Sequence, residues 1–260
     1  MIAKLAKHSV WLLALSAAVL SSCQQSSGPS EPEGIFPTRI GVTWTYSTSV
    51  DTVGNNVYRP AGTTVQRLTG TQQLAGREAF VVISTTTPLT GTPTTDTTLY
   101  AYENNRRDQL IYLSGIQDLI DIGGIRNVTG FQPGWYPFIK TSGGIGSTYT
   151  ILQNARVEAV IDGLGNATIT ANVQGRVDST QQLTLNNRTY NTTRITITTN
   201  VELRFSPAGF PVTIPISVPL RVWVAPNTGV VRQESGAVRI ALAGVTLPGV
   251  RQELQSITGN

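Results

Sequence analysis

Hydrolytic and transfer chemistry needs a nucleophile, a general acid or base, or a metal ligand, and this 260-residue chain is short of all three. It has one cysteine, Cys23, and one histidine, His8, and beyond the first ten residues one lysine, Lys140. His8 lies in a segment that reads as a removable export signal. Lys4 and Lys7 give it a positive start, and residues 10–20 are an uncharged apolar run too short to cross a bilayer. With that segment cleaved, no Ser-His-Asp or Cys-His arrangement and no histidine-based metal site can be assembled. Lys140 follows Trp135-Tyr136-Pro137-Phe138-Ile139 without a Ser-x-x-Lys motif, so it reads as a surface lysine with its stem on apolar neighbours. Paired carboxylates are the remaining option, but Glu103, Asp108, Asp118, Asp121 and Glu158 are scattered, and spacing alone joins no two of them. Asp162-Gly163-Leu164-Gly165-Asn166 lacks the third acidic position and the terminal Glu of a calcium loop, and alternating strands on both sides favour a hairpin turn. No enzymatic activity, no metal and no cofactor are therefore expected.

The chemistry that does stand out is at Cys23. The run Leu20-Ser21-Ser22-Cys23 closes the apolar segment with an apolar residue, two small residues and the only thiol. It resembles the lipobox of bacterial lipoproteins, which implies cleavage before Cys23 and acylation of that residue. Residues 1–22 are then a lipoprotein signal peptide, and residues 23–34 a polar, Pro/Gly/Ser-rich tether. At roughly 3.3 Å per residue the tether could hold the remaining domain, residues 35–260, up to about 40 Å from a bilayer. Gln24 stands where an Asp would resemble an inner-membrane retention signal, so the resemblance implies an outer-membrane address, facing the periplasm or the cell surface. The membrane is the expected partner, through acyl chains on Cys23.

Charge narrows the remaining partners. The chain carries 19 basic and 15 acidic residues, and loss of Lys4 and Lys7 leaves 17 against 15, a net charge of +2. Only 13% of residues are charged and no basic run exceeds Arg106-Arg107, so no nucleic-acid partner is expected. A lone cysteine allows no intrachain disulfide, and stability must come from the core.

The elements that would position any site read as strands. Val42, Trp44, Tyr46 and Val50 alternate with Thr43, Thr45, Ser47 and Ser49, and Ala167, Ile169, Ala171 and Val173 alternate with Thr168, Thr170, Asn172 and Gln174. The pattern recurs over residues 195–205 and 212–224. Period-two alternation rich in Thr, Val and Ile predicts antiparallel strands with one buried and one wet face. Pro215 and Pro219 predict that the last of these is an edge strand or one broken by bulges, paired with residues 195–205 in a hairpin of roughly fourteen residues per arm. Residues 116–122 are the one helical candidate. The expected fold class is all-β: an antiparallel curved sheet, a barrel or a sandwich.

Two β meanders could build it. Thr71-Gln72-Gln73-Leu74 recurs as Thr180-Gln181-Gln182-Leu183, and Leu74-Ala75-Gly76-Arg77 is answered by Leu185-Asn186-Asn187-Arg188. These matches fit a repeat of residues 41–113 as 146–235, or a recurrence by chance in a Thr/Gln-rich chain. Gly41-x-x-Trp44-x-Tyr46 after Phe36-Pro37, with the later Ala225-Pro226-Asn227-Thr228-Gly229-Val230-Val231, resembles a loose group of uncharacterised β-rich bacterial lipoproteins. That resemblance implies an all-β envelope domain and transfers no activity.

Two aromatic features are candidate ligand or partner contacts. The first is the segment Phe131-Gln132-Pro133-Gly134-Trp135-Tyr136-Pro137-Phe138, read as a loop that either caps the core or presents Trp135, Tyr136 and Phe138 as a patch. The second is Trp223, on the opposite strand face from Val222 and Val224, where it is either covered by a second layer or exposed. The expected role is a membrane-anchored, non-catalytic lipoprotein of the cell envelope that binds a protein or lipid partner or structures the surface. The alternative is a periplasmic lipid or lipoprotein carrier of LolA/LolB-like or LppX-like type, which would need an open apolar concave face.

Overall fold

The structure is a computed structural model that describes residues 34–115, 125–161, 165–206, 210–240 and 245–259. The signal peptide, Cys23, most of the tether and the helical candidate at 116–122 lie outside the described residues. Fifteen strands are described: β1 (Thr43–Asp51), β2 (Arg59–Leu74), β3 (Arg77–Pro88), β4 (Thr94–Glu103), β5 (Asp108–Leu113), β6 (Ile125–Thr129), β7 (Gly134–Lys140), β8 (Thr148–Ile161), β9 (Gly165–Leu185), β10 (Arg188–Phe205), β11 (Val212–Ala225), β12 (Gly229–Ser235), β13 (Val238–Ile240), β14 (Val245–Leu247) and β15 (Gly249–Thr258).

Thirteen of them form one antiparallel sheet in the order β6-β8-β9-β10-β11-β12-β15-β1-β2-β3-β4-β5-β7, and β13 pairs with β14 separately. The all-β class is as expected. The sheet is open, and its end strand β7 lies against β8, near the other end, without joining it in a ladder. Side chains bridge that gap, among them Tyr149, whose hydroxyl donates to the Phe138 carbonyl at 2.8 Å. Tyr149 reaches it by crossing Gly175, its register partner, where a Cβ atom would come within 2.1 Å of the ring. Glycine in a strand interior is unfavourable by itself, and here it makes room for a ring.

Burial follows the alternation. In β9 the residues Ala167, Ile169, Ala171, Val173 and Val177 are all buried, and they pack with Ile195, Ile197, Val201 and Leu203 of β10 and Ile214, Ile216, Val222 and Val224 of β11. A second cluster holds Val42, just before β1, with Trp44 and Tyr46 of β1, Leu68 of β2, Val82 of β3 and Leu254 of β15. Strands β9 and β10, at 21 and 18 residues, exceed the usual length, and a register shift at Arg194/Ile195 interrupts their pairing.

The β10–β11 hairpin runs for thirteen pairs, from Thr193 opposite Val224 to Phe205 opposite Val212. Strand β11 is internal to the sheet at one end only. Residues Leu220–Ala225 also pair with β12, whereas Pro215 and Pro219 lie in the half bonded to β10 alone, as an edge would be. The aromatic segment differs from expectation. Gly134–Lys140 form strand β7, not a loop, because proline at position 137 is tolerated on an edge strand that needs bonds on one side only.

The two recurring tetrapeptides both lie near a hairpin loop but two residues out of step, since Leu74 is the closing residue of its hairpin and Leu183 precedes the closing Leu185 by two. Each precedes a two-residue hairpin loop, Ala75-Gly76 (φ 47° and 76°) between β2 and β3 and Asn186-Asn187 (φ 49° and 62°) between β9 and β10. Positive φ at both positions defines the type I′ turn that suits strand twist.

A candidate pocket where two sequence motifs meet

The segment beginning at Gly34 is stitched between two turns. Ile35 N–H donates to the Arg106 carbonyl at 3.0 Å, while Asn227 and Gly229 N–H groups donate to the carbonyls of Gly34 and Ile35, each at 2.9 Å. This places Phe36 beside Gly229, whose φ of 84° requires a residue without a Cβ penalty and whose α-carbon lies against the ring. Nearby, Trp44 Nε1 donates to the Thr228 carbonyl at 2.7 Å and the Tyr46 hydroxyl to the Val230 carbonyl at 2.9 Å. The two motifs at opposite ends of the chain therefore form one structure.

Together they build a pocket of about 60 Å³. One wall is aromatic: Phe36, Trp44, Tyr46, Tyr100, Tyr102 and Phe138. Phe36 stacks on Tyr102 with centroids 5.3 Å apart and planes at 15°. Phe138 occupies the register shift opposite Gln109/Leu110, a bulge that turns its side chain into the pocket. The other wall is amide, with Gln66, Gln109, Gln233 and Gln252. Gln233 Nε2 donates to Gln252 Oε1 at 2.6 Å and Gln252 Nε2 to Thr64 Oγ1 at 3.0 Å, and Thr64 shares hydroxyl bonds of 3.1 Å with both Thr48 and Thr86. This rail crosses β12, β15, β1, β2 and β3 and fixes the Gln233 and Gln252 amides.

Burial dominates the electrostatics. It pushes the Tyr100 phenol up to about 12, partly opposed by a bond with Thr98, and it raises Tyr46 and Tyr102 further. All three stay neutral at any physiological pH. The pocket can therefore offer aromatic faces, amide donors and amide acceptors, but it presents no titrating group.

Of the expected contact residues, only Phe138 lines this pocket. Trp135 is half-buried, donates from Nε1 to the Leu74 carbonyl at 3.1 Å and packs edge-on to Tyr112. Tyr136 donates to the Gln132 carbonyl at 2.6 Å and leans on Phe131. Trp223 is 6% exposed, in the cluster with Leu185 and Tyr190 from the β9–β10 hairpin, so its face is covered. Its Nε1 has no partner, and the Arg232 guanidinium lies 5.0 Å above its ring. Tyr100, Tyr102 and the four glutamines carry no signal in the sequence that unites them.

The scattered carboxylates are engaged separately. Glu103 pairs with Arg77 at 2.6 Å, and Glu158 bonds to Arg156 and Thr168. Asp108 accepts from the Thr141 and Ser142 N–H groups at 2.9 and 3.0 Å and so ties the β7–β8 loop to β5. Asp118 and Asp121 lie outside the described residues. Among the described residues, no three His, Cys, Asp or Glu gather as a metal site would need. Lys140 is exposed.

No protein-family model and no curated protein matches the chain. Two solved structures resemble it in fold. One, a "putative lipoprotein" from Parabacteroides distasonis, is 12% identical with a TM-score of 0.52 and covers 87% of this chain and 99% of its own. The other, a "putative exported protein with YmcC-like fold" from Bacteroides fragilis, is 13% identical with a TM-score of 0.48, over 87% of this chain and 100% of its own. At such identity the first likeness shows a shared all-β fold, and nothing more is carried from it.

Proposed function

We propose that this protein is a lipid-anchored envelope lipoprotein whose β domain is a non-catalytic binding or structural module. The observation that carries the reading is the small, preorganised aromatic–amide pocket, set beside two core clusters of interlocking apolar side chains. At about 60 Å³ it accepts a small group or a few waters, against roughly 300–1,000 Å³ for a pocket that encloses a drug-sized ligand. An acyl-chain carrier of LolA/LolB-like or LppX-like type needs far more room than this pocket gives and an apolar lining, whereas the larger open concavity at Asn172, Asn200, Glu202 and Arg204 is mainly polar, so the module reading is preferred. The address comes from the lipobox at Cys23 and agrees with what the fold neighbour from Parabacteroides distasonis is named.

Native mass spectrometry of the unacylated domain, purified from its host, tests the reading. A bare protein, or one carrying a small polar ligand, is expected. Co-purified lipid would establish the carrier instead.

A further inference from the structure

One face of the sheet, open at Arg176 and Arg221 and covered at Trp223, carries an arrangement the linear sequence conceals. Across the neighbouring strands β9, β10, β11, β12 and β15, register places Arg176, Arg194, Arg221, Arg232 and Arg251 on one side, in two adjoining rows. Five guanidinium groups face three carboxylates, Asp178, Glu234 and Glu253, so this band holds a surplus equal to the net charge of the mature chain. The carboxylates are shared. Asp178 bonds Arg176 at 2.8 Å and Arg194 at 3.2 Å, and Glu234 bonds Arg232 at 2.7 Å and Arg251 at 2.9 Å with Arg221 at 3.6 Å. Sharing holds the forks in place and leaves each with N–H groups to spare, since a guanidinium has five donors. Arg176 and Arg221, at 62% and 53% side-chain exposure, are the open ones.

The same face continues into an open concavity of about 450 Å³ lined by polar residues that include Asn154, Thr170, Asn172, Asn200 and Ser217, together with the Glu202–Arg204 ion pair, whose charges offset each other. The row Asn172, Asn200 and Ser217 lies four residues along the strands from the arginine row, about 13 Å away. Ser217 Oγ donates to Asn200 Oδ1 at 2.8 Å and the Asn154 N–H to Asn172 Oδ1 at 2.8 Å, so these amides too are held in fixed orientation.

The geometry points to an anionic polysaccharide as the occupant: a carboxylated glycan with its acid groups on the guanidinium band and its hydroxyls on the amide-lined concavity. Five strands at about 4.8 Å span roughly 19 Å, the reach of an extended polymer and not of one headgroup. The exposed large apolar residues, among them Val57, Val65, Leu89 and Phe210, lie outside these five strands, so the face offers no wedge for a bilayer and no anchor for a protein hot spot. Trp223 is covered and Tyr58 is already stacked on the Arg251 guanidinium at 4.0 Å, so among the described residues the band presents no run of open aromatic faces for successive nucleobases. Carboxylate and hydroxyl together fit what remains.

This inference rests on the domain being a binding module but not on the aromatic–amide pocket, so its test leaves that pocket intact. Affinity electrophoresis of the domain in polygalacturonate at low ionic strength is compared with neutral dextran, with the Arg176→Gln/Arg221→Gln double variant and with Asn200→Asp. Retention by polygalacturonate alone is expected, weakened about tenfold in the double variant and lost progressively with salt. Asn200→Asp, which adds an unpaired carboxylate to a concavity whose Glu202 is already paired with Arg204, weakens it as well. All three substituted residues are solvent-facing, and unchanged near-ultraviolet circular dichroism confirms folding. No retention of the native domain, equal retention of the double variant, or binding to phosphatidylglycerol vesicles or an oligonucleotide without binding to the glycan would each overturn the proposal.

Discussion

At the scale of single residues, two tryptophans with similar burial make opposite predictions. Trp44 satisfies the Thr228 carbonyl through its indole, whereas the Trp223 indole N–H is buried without a partner. Trp44→Phe keeps most of the packing and orphans a buried acceptor, a loss of about 1–3 kcal/mol. Trp223→Phe removes an orphan along with some area, so it should cost less than Trp44→Phe in urea unfolding, while Trp223→Ala opens a cavity worth about 3–5 kcal/mol. A Trp223→Phe variant as unstable as Trp44→Phe would show that the lone donor is satisfied in solution. The acid limb of stability also belongs here. Burial raises the Asp51 carboxyl, but the N–H groups of Gly54, Val53, Asn56 and Asn55 hold it below its ordinary range. Burial likewise raises Asp178 and Glu234, yet Thr196 and Arg176 in one case and Arg232 and Arg251 in the other bring them below it. Groups lowered in the folded state stabilise it above their unfolded values, near 3.9 for Asp and 4.3 for Glu, and that stability is lost as pH falls through the folded ones. The urea midpoint should therefore be flat above about pH 5 and decline on acidification, less steeply in Asp51→Asn; an identical decline in that variant would remove Asp51 from the account.

Among the elements, β7 meets β8 through the Tyr149 ring over Gly175, so a methyl group in the wrong place should loosen that contact. Gly175→Ala drives a Cβ into the Tyr149 ring and breaks its bond to the Phe138 carbonyl. Overpacking of this kind costs about 1–3 kcal/mol, and hydrogen exchange should rise in β7 more than in β9. Restored protection in Gly175→Ala/Tyr149→Ser would identify the ring as the cause, and uniform loss across the sheet would reject it. This element also marks the limit of sequence reading. Strands β1, β9, β10 and β11 were legible because alternation runs for many residues and each has one wet face. Strand β7 was not, since Gly134 and Pro137 are turn signals anywhere but on an edge, and edge position depends on pairings the sequence does not display. The arginine band was hidden for a related reason: Arg176, Arg194, Arg221, Arg232 and Arg251 are eleven or more positions apart and meet only through register. The pocket was half legible, its aromatic motifs visible at both ends and their union through Phe36 and Gly229 visible at neither.

For the whole molecule, the anchor and the domain should be separable. Acylation contributes about 0.8 kcal/mol per buried methylene, so two or more chains on Cys23, as the proposed lipobox implies, would hold the protein to a bilayer almost irreversibly, whatever the domain does. The domain has its own core clusters, built entirely from residues beyond 34, and needs no disulfide. Residues 24–260 exported behind an ordinary cleavable signal should therefore move from the detergent phase to the aqueous phase in Triton X-114 partitioning, with the same urea midpoint as the native protein. The intact native protein, extracted in detergent, should weigh more than the polypeptide from Cys23 to Asn260 by the mass of its acyl groups. An unmodified mass at Cys23 would end the lipobox reading, and a detergent-phase domain without Cys23 would place a second membrane contact in the β sheet. If instead the lipid-free domain is aqueous and still retained by polygalacturonate, anchor and glycan-binding face act independently, and the tether of about a dozen residues sets how far from the bilayer a captured polymer is held.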